Sequence, residues 1–287
     1  MSRLLARKDP GSFKTLPLYV EATADGLNYR SLGLPLNFAQ MLERRRPVQA
    51  ADTQRFALEL ANLGVSVRLT LSWQGRDHWL VVRQRRSDRG DTVLKLISGY
   101  VPAHELNLPL LTAIQEVAEE CLIEHDDCWL GGRYVDTWLP TPYPLRYRTG
   151  DHFHLTPLSG AARPVHCGNL MLMERPRAYV HLPTASLQLV YDLRLELPKD
   201  CRQPSLFHVD ERLEDGRLIT RLQRQRPDIY LLPLSQGKPT GELVSLLHGE
   251  LRPASTRGLW LSESFARQDG WLVRDERIRW QDWLAGL

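Results

Sequence analysis

The 287-residue sequence predicts an α+β protein on a mixed β-sheet, with an N-terminal helical extension and a long insertion after a central acidic helix. Three observations carry this expectation. First, "VSVRLTLSW", "HWLVVRQRR" and "TVLKLISG" are β-rich segments joined by the turns "QGRD" and "SDRGD", which reads as a meander. Second, Leu110, Ile114, Val117 and Cys121 recur at spacings of 4, 3 and 4, one face of a helix that Asn107 can cap. Third, "LQLVYDLRLEL" alternates strictly, placing Leu187, Leu189, Tyr191, Leu193, Leu195 and Leu197 on one strand face and Asp192, Arg194 and Glu196 on the other.

The remaining elements follow in order. Residues 1–65 read as an extension with two helical pieces. In the second, "DTQRFALELANLG", Asp52 is an N-cap, Phe56, Leu60 and Leu63 share a face, and Gly64 ends the helix. A domain over 66–265 comes next, interrupted at about 128–186 by a Pro- and Gly-rich connection with a strand near "NLMLMER". Towards its end "DIYLLPL" reads as a strand and "PTGELVSLLHGEL" as a short helix ending near Gly249. The Trp-rich segment 266–287 is expected to pack back on the core.

Composition narrows the function. With 43% hydrophobic and 25% charged residues the chain can bury a sizeable core. A net charge of +3 suits anionic small molecules and is too small to argue for nucleic acid. No run of 18 apolar residues occurs, so the sequence offers no membrane span, and a cytoplasmic location is expected. Four cysteines without a C-x-x-C pair fit reduced thiols. Nothing in the sequence speaks against a homodimer. P-loop and G-x-S-x-G motifs are both absent, which removes P-loop nucleotide hydrolysis and the nucleophile-elbow hydrolases.

One stretch carries chemistry. From Leu96 to Gly132 there is no Lys or Arg, although a proportionate share would be about five. The same window holds Glu105, Glu116, Glu119, Glu120, Glu124, Asp126 and Asp127. Positions 116, 119 and 120 are helix neighbours at spacings of three and four, so their carboxylates converge. Like charges at a helix C-terminus repel one another and the helix dipole, and a hard divalent cation would relieve both.

"GYVPAHELNLPLLTAIQEVAEECLIE" resembles the Nudix box, G-x5-E-x7-R-E-U-x-E-E-x-G-U, where U is bulky and aliphatic. Gly99 and Glu105 match its opening, and Gln115, Glu116, Val117, Glu119, Glu120 and Ile123 its close. The sequence departs from the pattern in a spacer of nine residues before Gln115, in Gln115 where the family has Arg, and in Leu122 where it has Gly. Leu122 suits a left-handed helix end poorly, which predicts that the helix runs a turn further.

The resemblance implies an α/β/α sandwich that binds Mg²⁺ or Mn²⁺ and cleaves a diphosphate linkage in a nucleoside diphosphate derivative or similar compound. In that reading Glu116, Glu119 and Glu120 are the catalytic metal ligands, the Gly99 carbonyl joins them, and Glu105 and Gln115 support. Neutralising Glu119 or Glu120 is expected to leave stability unchanged or slightly higher while activity collapses. The alternative is a ligand-binding or regulatory module that keeps the acidic helix without turnover. Arg83 and Arg85 share a strand face and admit two readings, a clamp for substrate phosphate or charges that protect a sheet edge, with the second the heavier. Trp138, Tyr143 and Tyr147 could stack on a base or pack beneath their loop.

Overall fold

The computed structural model describes residues 2–86, 91–158, 165–167, 170–171, 176–262, 272–273 and 278–285. The meander forms where the sequence places it. Asn62–Trp73 and Arg76–Arg86 pair antiparallel (Thr70 opposite Trp79), Arg86 falls opposite Asp91 on the next strand, and Ile97–Tyr100 returns beside Asn62–Trp73 with Gly99 opposite Val65. Ser186–Glu196 is the alternating strand. It runs parallel to Asn62–Trp73, from Ser186 opposite Asn62 to Leu195 opposite Leu71, with Leu187, Leu189, Tyr191, Leu193 and Leu195 buried. Leu63, Val65, Val67, Leu69 and Leu71 meet the same core, so these two strands form its spine.

The α/β/α sandwich expected from the sequence is not what the chain forms. Strands dominate, and parallel and antiparallel pairings link twenty of them, among the described residues, into one branched sheet. Beside it stand three described α-helices, Phe38–Arg44, Pro109–Glu120 and Trp280–Ala285, of which only the second exceeds two turns. One twelve-residue helix cannot clothe two faces of a sheet, so strand packs on strand instead.

The N-terminal helical extension is also corrected. Residues 52–64 contain no helix; Phe56–Leu60 is a strand paired with Leu18–Thr23, and Asn62 begins the next one. A spacing of four satisfies both periods, since Phe56 and Leu60 share a face of a helix and equally of a strand. Ala57 and Glu59, exposed between them, decide for the strand. The short helix expected over 239–251 is a hairpin, in which Val244–Leu247 pairs with Glu250–Pro253 across His248 and Gly249. Both turn residues have positive φ, 51° and 77°, so Gly249 turns a hairpin rather than ending a helix. The connection after the acidic helix is partly sheet, because Cys128–Tyr134 pairs parallel with Tyr147–Pro157. Most of "NLMLMER" and of the C-terminal segment lies outside the described residues, as do Arg89 and its turn.

Three features bring distant residues to the end of the acidic helix. Pro109–Glu120 lays Ala113, Ile114 and Val117 on the meander. It stops at Glu120; Cys121 is already extended (φ −113°, ψ 95°) and opens the strand Cys121–His125, so the further turn expected from Leu122 does not form. That strand pairs with Ser205–Glu214, setting Cys121 opposite His208. Ser205–Glu214 pairs with Arg217–Gln223, whose other edge takes the N-terminal strand Ser2–Lys8.

Candidate functional site

The carboxylates at the end of the acidic helix have cationic neighbours after all, and all of them come from other elements. Lys8, at the end of the N-terminal strand, donates to Glu119 Oε2 at 2.9 Å and lies 3.9 Å from Glu211 Oε2. Lys95, one residue before the window free of Lys and Arg, stands 3.5 Å from Glu120 Oε1 and donates to Ser98 Oγ at 3.0 Å. His208 Nε2 is 3.6 Å from Glu120 Oε2, beyond a hydrogen bond yet close for a charge. Glu211 adds a fourth carboxylate, held by Thr220 Oγ1 at 3.4 Å.

Glu116 is different. Among the described residues no Lys, Arg or His pairs with it. A Cβ at position 99 would overlap its carboxyl group, so Gly99 is the residue that allows Glu116 to lie flat against the strand. Burial, then the charges of Glu120 and Glu119, push the Glu116 carboxyl up to about 8. Burial also works against ionised Glu120, but Lys95 and His208 outweigh it and hold that carboxyl below its ordinary value. Glu211 is raised by burial, with Lys8 opposing and Glu119 and Glu120 adding to it. Lys8 is raised: burial disfavours its charge, and Glu119 and Glu211 more than compensate.

The supporting residues sit nearby in the chain. Glu105 is buried at the end of a 3₁₀ turn and accepts from Thr112 Oγ1 at 2.5 Å, which ties the loop after Gly99 to the first turn of the helix. Gln115 is half-buried on that helix. Tyr143 is buried, and its hydroxyl donates to the Glu119 carbonyl at 3.0 Å, so it braces the helix end from beneath its loop. Trp138 is exposed, with Arg133 over its ring and His152 at its edge.

Arg83 and Arg85 are not brought to these carboxylates. Arg83 lies opposite Leu94, whereas Lys95, which reaches Glu120, lies opposite Val82; the pleat therefore turns Arg83 to the other sheet face, where it meets Tyr230. Glu124, counted with the helix acids in the sequence, belongs to the strand Cys121–His125 and pairs with Arg224.

No protein-family model matches the chain, and no curated protein matches it. Among the described residues no three His, Cys, Asp or Glu side chains stand grouped as a ready-made metal site. No described helix is long and apolar enough to cross a membrane. Lys8, Lys95, His208 and Glu211 could not be found from the local motif. Lys95 alone left a trace, standing at the very border of the acidic window.

Proposed function

We propose that the chain is a metal-dependent hydrolase that cleaves a diphosphate linkage in a nucleoside diphosphate derivative or similar small compound through Glu116, Glu119 and Glu120. The observation that carries the proposal is Glu116: a carboxyl group laid against Gly99, beside two further glutamates, with no cation of its own among the described residues. Clustered oxygen donors are what Mg²⁺ or Mn²⁺ seek, and binding one here would require Glu119 and Glu120 to turn from Lys8, Lys95 and His208 towards it. Glu116, Glu119, Glu120 and the Gly99 carbonyl would hold the ion. When bound, it would neutralise diphosphate oxygens and acidify an attacking water.

The protein's own residues prepare that chemistry. Lys95 and His208 keep Glu120 ionised without a metal. The Lys8–Glu119 pair is the more open of the two, at 42% and 33% exposure against 11% and 17% for Lys95–Glu120. An exposed pair contributes only about 0–1 kcal/mol, so Lys8 is the group that yields Glu119 to an incoming ion. It is then free to meet substrate phosphate. The bond from Thr112 to Glu105 fixes the loop between Gly99 and the helix. Free thiols at Cys121, Cys128 and Cys201 suit the cytoplasmic location we assign.

A second reading, a ligand-binding module without turnover, is favoured by the same two lysine pairs and by Gln115 in place of an arginine. A panel of nucleoside diphosphate derivatives assayed with Mg²⁺ and with Mn²⁺ separates the two. Hydrolysis that saturates and disappears with EDTA supports the enzyme. Thermal stabilisation by a panel member without product supports the module.

A further inference from the structure

We propose that the hairpin ending at Trp138 and the strand beside it form a carbohydrate-binding surface, on which Trp138 is the platform for a neutral pyranose ring. The inference stands apart from the acidic helix and needs no cation. Trp138 is 62% exposed, an unusual state for a side chain that normally buries most of its surface. The Arg133 guanidinium lies over the ring, 5.0 Å from its centroid, and the His152 ring meets it at 4.8 Å and 60°. The exposure therefore belongs to the opposite face of the indole. Val135 and Asp136 turn the hairpin between Tyr134 and its partner Thr137, and Val135 has φ 51°, a left-handed conformation that a β-branched residue rarely adopts. Strain of this kind clusters where a fold presents a ligand site.

Sheet pairing gathers polar groups around the platform. Arg133 lies opposite Trp138 on one side and His154 on the other, and Gly131 lies opposite His152. The register of the parallel pair slips between Trp129 and Gly131, a bulge that brings His152 to this place. The rings of His152 and His154 are 4.5 Å apart, and a Cβ on Gly131 would meet no atom within 4 Å, so open ground lies beside them. Charge decides the ligand class. Asp136 stands 3.7 Å from Arg133, Glu196 falls opposite His154, and burial, with His154 and Arg133 adding to it, lowers His152 and keeps it uncharged at neutral pH. No surplus cation remains to select a phosphate. Donors and acceptors stand instead at the covered face of the indole, at its side and at the turn, a distribution that meets hydroxyls on several sides of a sugar whose C–H face rests on the ring. A nucleobase carries its polar atoms only in its own plane. Residues 131 and 133 are about 7 Å apart along the strand, so Gly131 makes room for a second sugar residue, and the ligand is a neutral oligosaccharide.

The test uses the full chain in EDTA, with cellotriose, maltotriose and N-acetylchitotriose as probes, in saturation-transfer NMR and calorimetric titration. At least one should bind, with the strongest transfer at its ring C–H protons. Trp138→Ala, at an exposed position, should weaken that binding by at least about tenfold. Gly131→Val fills the open ground at a strand position that holds a β-branched residue without strain, and should weaken it while leaving Trp138 in place. No binding of any of the three overturns the inference, and so does binding that Trp138→Ala leaves unchanged. Adenosine or orthophosphate bound through Trp138 where the sugars are not overturns the ligand class. Because EDTA is present and no probe contains a diphosphate, none of these outcomes bears on the hydrolase reading.

Discussion

Two clusters of charge lie within thirty residues of each other in the sequence, and they are solved differently. Around Arg148 the acids are matched locally: the guanidinium donates to Asp126 Oδ2 at 2.8 Å, pairs with Asp151, and meets His125 Nδ1 at 3.1 Å. At the end of the acidic helix four carboxylates, Glu116, Glu119, Glu120 and Glu211, face two lysines and a histidine, all remote in sequence except Lys95. The first cluster is a closed structural unit that ties the strand Tyr147–Pro157 to the turn after Cys121–His125. The second leaves one carboxyl, Glu116, without a cationic partner among the described residues, in the space a glycine has made for it, and burial and its neighbours hold it protonated. The contrast teaches that acidic density does not by itself mark a site, since the Arg148 cluster is acidic too and is matched.

The largest expected effect falls on turnover. Glu116→Gln should lower the hydrolysis rate by about 100-fold or more, because it removes a carboxyl that can give up its proton in favour of a bound cation while keeping its shape. Steady-state assay of the best panel substrate checks this. Arg148→Met, in the other cluster, should leave turnover unchanged.

Stability gives the next contrast, and here the structure revises the sequence expectation for Glu120. Glu120→Gln leaves the Lys95 ammonium, 11% exposed, with the neutral Ser98 oxygens in place of a carboxylate, and should cost about 3 kcal/mol in denaturant unfolding. Glu119→Gln breaks only the more open pair with Lys8 and should cost about 1 kcal/mol or less, where the sequence alone predicted no loss. Equal losses in the two variants would mean that the lysine pairs are not ranked by burial.

The pH dependence follows from Glu116. Its folded value of about 8 exceeds its ordinary 4.5, so the folded state binds this proton more tightly than the unfolded chain does. That contribution is complete below about 4.5 and is lost as pH rises through about 8. Glu211, also raised, has the same sign. Glu120, which is lowered, acts oppositely, and its contribution is lost as pH falls through its folded value. Melting temperature without metal should therefore decline from mildly acidic pH to above 8, and Glu116→Gln should flatten the decline. The smallest effect belongs to Arg148→Met, about 1 kcal/mol or less, because Asp126 is 64% exposed.

Much of the local structure was legible in the sequence. The meander, the helix under Glu116 and the alternating strand each carry a periodicity that burial enforces. Where two periods coincide, as between Phe56 and Leu60, the sequence misled, and the partner strand Leu18–Thr23 decided. The sandwich failed for a related reason, since a box-like segment specifies its own loop and helix but not what packs around them. Near the helix end, the helix spacing brought Glu116, Glu119 and Glu120 together, and Gly99 entered only through the Nudix resemblance. Their cations could not be read from the sequence, because Lys8 reaches Glu119 across 111 residues of chain and His208 meets Glu120 only through strand pairing.

The most direct test of the central claim, that Glu116 is held for a cation from outside, is the melting temperature of wild type and Glu116→Gln above pH 8, in EDTA and with Mg²⁺. The account predicts a crossing. In EDTA the variant melts higher, since a crowded charge has gone; with Mg²⁺ the wild type gains by mass action and the variant gains far less. A variant that melts lower in EDTA, together with a wild type that Mg²⁺ does not stabilise, would contradict it.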